Sequence, residues 1–91
     1  MRTALTELIR FQITATNGEA ALTRVVVILG SRGARVRELR FRSEPMGGAR
    51  IDCVVETGPG RATNLAAALA RLVDVTSVLK CTGLGLCEPR P

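Results

Sequence analysis

At 91 residues the chain is long enough for one domain and too short for two. It contains no His, Trp or Tyr, which excludes His-based metal sites and His acid–base chemistry, and no apolar run approaches the about 18 residues of a membrane-spanning helix. The net charge is +5, and Lys80 is the single lysine among 13 basic residues; this arginine excess fits a coding bias as well as it fits a polyanion site.

Residues 1–6 form a short, loosely held leader. Residues 8–16 then alternate, with Ile9, Phe11, Ile13 and Ala15 on one face and Arg10, Gln12, Thr14 and Thr16 on the other, the pattern of a half-buried strand. Asn17-Gly18 makes a turn, since both residues tolerate a left-handed backbone. Thr16 or Asn17 is placed to cap a helix, with Glu19 favourable in its first turn.

That helix covers residues 19–31, with Leu22, Val25, Val26 and Leu29 at i, i+3, i+4 and i+7. Four apolar residues in succession, Val25 to Ile28, exceed one narrow stripe. Either the core face is wide, or Val27 and Ile28 meet a partner. Arg32 and Gly33 read as a basic last turn and a glycine stop.

A second strand spans residues 34–43, with Val36, Leu39 and Phe41 as its apolar members. The step from Val36 to Leu39 breaks alternation and predicts a bulge near Arg37 and Glu38. Arg35, Arg37, Arg40 and Arg42 make the strand strongly basic, which either protects a sheet edge or meets an acidic partner. Glu44-Pro45-Met46-Gly47-Gly48 is a hairpin loop, and residues 50–57 form a third strand with Ile51, Cys53 and Val55 inward. Gly58-Pro59-Gly60 breaks the chain before a helix over residues 62–72, carrying Leu65, Leu69 and Leu72, and a fourth strand over residues 75–81. From residue 82 there is no periodicity, so residues 82–91 are expected to be a flexible tail or to be ordered by a partner. The cysteines are Cys53, Cys81 and Cys87, an odd number without a C-x-x-C; Cys53 is expected in the core, and neither a disulfide nor a zinc site is expected.

The order βαββαβ predicts an α+β, ferredoxin-like sandwich over residues 1–81: an antiparallel four-stranded sheet with two helices on one face. Right-handed crossovers place the first and third strands centrally and the second at an edge. The fold hosts unrelated functions, so residues must decide. An RNA reader needs exposed aromatics on the central strands, and Arg10, Gln12, Asp52, Val54 and Glu56 supply none. No paired cysteines sit in the first loop, and no carboxylate pair, Ser/His or Cys/His set is recognisable. What remains is a binding module. Its first loop offers amides at a helix N-terminus to a carboxylate ligand, and the turn from Gly33 to Arg35 of a second copy would complete the pocket; the plainer alternative is two ordinary turns.

Three segments carry a family resemblance: Asn17 with Ala21-Leu22-Thr23-Arg24-Val25, then Arg32-Gly33 followed by Val36, then Leu72-Val73-Asp74-Val75. In this order and spacing they resemble the ACT-domain family of regulatory modules, and more closely the small subunit of acetolactate (acetohydroxyacid) synthase, over about residues 10–81. The resemblance implies a non-catalytic homodimer that activates the large catalytic subunit in branched-chain amino-acid synthesis. Thiamine diphosphate, FAD and magnesium belong to that large subunit, so no cofactor is implied here. The residues themselves give the expectation of a soluble, cytoplasmic chain that takes no metal, nucleic acid or membrane. The resemblance also implies an effector site at Asn17, Gly18, Glu19, Ala20, Ala21, Leu22, Gly33 and Arg35, and partner contacts are expected at Val27, Ile28, Arg37, Arg40 and Arg42. Valine-sensitive relatives usually carry Gly at the position of Ala20 and Asn at that of Arg35, so the chain looks most like the short, valine-insensitive type, with any amino-acid effector weakly bound. The alternative is a free-standing amino-acid sensor acting on another enzyme or regulator.

Overall fold

The computed structural model describes residues 7–58, 60–81 and 87–90. Its elements are β1 (Glu7–Ala15), α1 (Gly18–Ser31), β2 (Arg35–Ser43), β3 (Ala49–Thr57), α2 (Arg61–Ala70), β4 (Val75–Cys81) and β5 (Cys87–Arg90). The first six follow the expected βαββαβ order. All strand pairs are antiparallel, in the order β2-β3-β1-β4-β5. β1 and β3 are internal and β2 is an edge, as the crossover rule requires. No described helix is long and apolar enough to cross a membrane.

The alternation in β1 and β3 builds the helix-facing side of the sheet: Ile9, Phe11, Ile13 and Ala15 interlock with Ile51, Cys53 and Val55, all buried. α1 adds Ala21, Val25 and Leu29, four residues apart along one face. α2 adds Ala62, Leu65, Ala66 and Leu69, where small residues let the helix lie close to the sheet. α1 ends at the glycine its sequence signals, but Arg32 is the C-cap and the last turn carries no basic residue, which corrects the expected basic last turn. Gly33 takes φ 75, its N–H bonds the Gly30 carbonyl, and the Ala34 N–H bonds the Leu29 carbonyl, a complete Schellman stop that only a residue tolerant of positive φ closes cheaply. The bulge in β2 falls between Val36 and Glu38.

Two features depart from expectation. The leader, residues 82–86 and residue 91 lie outside the described residues, but within the expected tail Cys87–Arg90 pairs with β4 as a fifth strand. A ladder is made by backbone groups, so the open edge of β4 recruits it without any side-chain pattern. Cys81 is also disulfide-bonded, which corrects the expectation of no disulfide; the residue opposite it in the β4–β5 ladder is Cys87. Cross-strand register, not a local motif, places such a bridge, so spacing along the chain did not signal it.

Cys53 is a free, fully buried thiol. Burial, then the nearby Asp52 charge, push its pKa from 9.0 up to about 11, against a smaller lowering by the Phe11 backbone. The folded state therefore holds its proton more tightly than the unfolded chain. The stability this gives is full below about pH 9 and is lost as pH rises through about 11. Near neutral pH, a thiol reagent should leave Cys53 unmodified in the native chain and modify it in urea. Rapid labelling of the native chain would show that the core opens locally.

Candidate functional site

The loop between β1 and α1 is held by contacts from distant parts of the chain. Asn17 sits at the N-cap with extended backbone, and its carbonyl accepts the Ala21 N–H at 2.9 Å, but its side chain makes no capping bond. The first-turn amides of α1 thus have no side-chain cap, the arrangement that favours an anionic group there. Glu19 occupies that turn, Ala21 is buried, and Ala20 and Leu22 are half-buried. Gly18 is sterically obligatory: a Cβ there would lie 2.6 Å from the Ala49 Cβ and 3.0 Å from the Phe41 ring.

The same loop is tied to the junction between α2 and β4. The Thr16 N–H donates to the Asp74 carbonyl at 2.8 Å, and the Thr16 hydroxyl donates to it at 3.3 Å. The Arg24 guanidinium lies 3.8 Å from the Asp74 carboxylate; with the Arg24 side chain more than half exposed and the contact long, that ion pair orients more than it stabilises. Two of the three segments that carry the family resemblance, around Asn17–Arg24 and Leu72–Val75, therefore meet in space. The third does not. Gly33 and Arg35 follow the far end of α1, about 21 Å away for 14 residues at about 1.5 Å each. Within one chain they cannot share a pocket with Asn17.

β2 presents a different surface. Every residue of the strand is exposed, and its apolar members Val36, Leu39 and Phe41 retain 42%, 38% and 37% of their surface because α1 covers the sheet only part way to this edge. On α1, Val26 and Val27 are exposed, while Ile28 is half-buried against the core. Arg37 is engaged within the chain, donating to Glu56 at 3.1 Å.

The face of the sheet away from the helices carries a polar cluster that inspection of β2 alone missed. Cross-strand register sets Arg42 opposite Arg50, and Arg40 opposite Asp52, which in turn faces Gln12. With Phe41, these arginines and Asp52 line a broad depression of about 450 Å³. Like charges directly opposite each other repel, and among the described residues Arg40, Arg42 and Arg50 have no ion pair. Asp52 Oδ1 is buried without a hydrogen-bond partner. The cluster thus offers three cations and one acceptor, the complement of an acidic group that also carries a donor. The alternation already marked Asp52 as outward; Arg50 was not singled out, and only strand pairing puts both beside Arg40 and Arg42. Among the described residues no group of three or more His, Cys, Asp or Glu could hold a metal ion.

No family model matches this sequence, and no curated protein matches it significantly. Solved structures do match. The ACT domain of a GTP pyrophosphokinase from Chlorobium tepidum superposes with a TM-score of 0.73 at 12% identity, covering 84% of this chain and 99% of that one. The C-terminal domain of the MgtC protein from Mycobacterium tuberculosis superposes with a TM-score of 0.70 at 12% identity, covering 91% and 94%. At that identity the likeness is one of fold: the chain has the ferredoxin-like architecture found in an ACT domain.

Proposed function

We propose that this chain is a regulatory module of ACT type, and specifically a non-catalytic small subunit that activates the large catalytic subunit of acetolactate synthase without strong valine feedback. The observation that carries this is the joining of two family-like segments by Thr16 and Arg24 to Asp74, which holds the uncapped loop at Asn17 in a fixed place. The ACT-like fold supports the coarser reading, a module that senses or relays a small ligand. Chemistry belongs to the partner. Thiamine diphosphate, FAD and magnesium would be bound there, and Arg40, Arg42 and Arg50 would take an acidic segment of it.

The module works as a homodimer. The open edge of β2 and the half-covered Val36, Leu39 and Phe41 are the surface a second copy would cover. A dimer also resolves the separation found above, because the turn from Gly33 to Arg35 of one copy can approach the Asn17 loop only of another.

The test is co-purification with the large subunit from the same organism, followed by acetolactate production with and without this chain and with added valine. Stimulation that valine leaves intact is the expected result. If there is neither association nor stimulation, the subunit reading fails. Titration calorimetry against valine, leucine and isoleucine addresses the second reading, a free-standing amino-acid sensor, which predicts clear binding by this chain alone.

A further inference from the structure

Where β3 hands over to α2, Arg32, Thr57, Arg61, Asn64 and Leu65 border a cleft of about 160 Å³. Its polar groups come from three elements. Arg32 is the C-cap of α1, Thr57 ends β3, and Arg61 and Asn64 lie in the first turn of α2. The cleft is at the opposite end of α1 from the Asn17 loop of the same chain, and its Arg32 directly precedes the turn from Gly33 to Arg35.

Every polar side chain here can donate a hydrogen bond, and both arginines lack an acidic partner among the described residues. α2 begins beside them with no side-chain cap, its N-cap position being Gly60 at φ 81. A helix N-terminus of this kind favours an anion but does not by itself make a site. Thr57 supplies an independent indication. It is 3% exposed and is the polar residue buried in the described core. It continues the inward row of Ala49, Ile51, Cys53 and Val55, yet its hydroxyl has no hydrogen-bond partner among the described residues. A valine would fill the same β-branched shape with no polar atom. Among the described residues the fully buried side-chain oxygen without a partner is Asp52 Oδ1, so the Thr57 hydroxyl is not sealed from solvent, and Thr57 borders the cleft that the two guanidiniums flank.

Size narrows the ligand. The cleft holds about five water volumes at about 30 Å³ each, well under the roughly 300–1,000 Å³ of a site that encloses a whole small molecule. A tetrahedral oxyanion fits, with any organic remainder left in solvent. We infer that this cleft binds a phosphoryl group, clamped by Arg32 and Arg61 and hydrogen-bonded by the Thr57 hydroxyl, the Asn64 amide and the N-terminus of α2.

The test is an amide NMR titration of the full chain at fixed ionic strength and near-neutral pH, one arm with inorganic phosphate and one with glycerol 3-phosphate. Saturable shifts confined to Arg32, Thr57, Gly58 and the first turn of α2 are expected. Tighter binding in the second arm would assign the site to a phosphorylated metabolite, and equal binding to free phosphate. The Arg32→Gln/Arg61→Gln variant should bind at least about tenfold more weakly, and Thr57→Val about threefold more weakly. Arg10→Gln/Arg71→Gln removes the same charge elsewhere and should change binding by less than about twofold. Shifts that do not saturate, or equal losses in the two arginine pairs, would reduce the effect to general attraction of anions and overturn the site.

Discussion

Gly18→Ala is expected to destabilise the domain by about 1–3 kcal/mol, although alanine is the better helix former. Propensity alone predicts the opposite sign, a gain of up to about 1 kcal/mol. Geometry decides otherwise. The new methyl would sit 2.6 Å from the Ala49 Cβ, where carbon atoms prefer about 3.5–4.0 Å. Ala49 cannot give way: it is 1% exposed, its Cβ is fixed to the backbone, and that backbone is laddered to both Ala15 and Ser43. Relief requires moving the start of α1, and with it the Asn17 loop. Gly30, also in α1, is the control, because a Cβ there meets nothing within 4 Å. Gly30→Ala should therefore stabilise by up to about 1 kcal/mol. Thermal melts measure both, at roughly 4–8 °C per kcal/mol for a domain of this size. Adding Ala49→Gly to Gly18→Ala should recover part of the loss through a favourable coupling between the two sites. Equal stabilisation by both alanines would mean that the loop does not press on β3.

The second large effect is expected at the cationic cluster. Replacing Arg40 and Arg42 by Glu should weaken activation of the large subunit by at least about tenfold, since close interfacial charge pairs couple by more than about 1.5 kcal/mol. Stability should not fall with it. Arg42 faces Arg50 across the ladder, so Arg42→Glu exchanges a like-charge pair for an opposite one, a change of about 0.2–1 kcal/mol in favour of the fold. Arg40→Glu sets a carboxylate opposite Asp52 and offsets part of that gain. Arg37 stays as it is, because its pair with Glu56 would confuse the result. The decisive measurement is a titration of the large subunit with the double variant, read by acetolactate production beside a melting curve. A normal melt with lost activation places the partner on this face of the sheet. A normal melt with normal activation removes Arg40 and Arg42 from the interface.

Much of the architecture was readable before any coordinates, because it follows from short-range periodicity. The alternation of Ile9, Phe11, Ile13 and Ala15 can be satisfied only by a strand with one covered face, and Val25 and Leu29 only by a helix lying on it. The Val36 to Leu39 step forces the bulge that β3 then accommodates. Arg32-Gly33 ends α1 because few residues other than glycine take the backbone angle the stop requires. The strand at Cys87–Arg90 was not readable, since ladder pairing needs a free edge and not a pattern. The disulfide at Cys81 depends on that same pairing.

The candidate sites divide along the same line. The sequence alone marked the Asn17 loop, the glycine stop and the basic second strand, because turn chemistry and charge are written in consecutive residues. Tertiary structure decided which of these residues meet. It joined the Asn17 loop to Asp74, kept Gly33 and Arg35 a helix length away from it, and set Arg50 and Asp52 beside Arg40 and Arg42. It also brought Arg32, Thr57 and Arg61 from three elements to one cleft. Secondary structure is set mainly by interactions a few residues apart. A site is set by where separate elements cross, and that depends on the register of strands and the seating of helices, which no local pattern encodes.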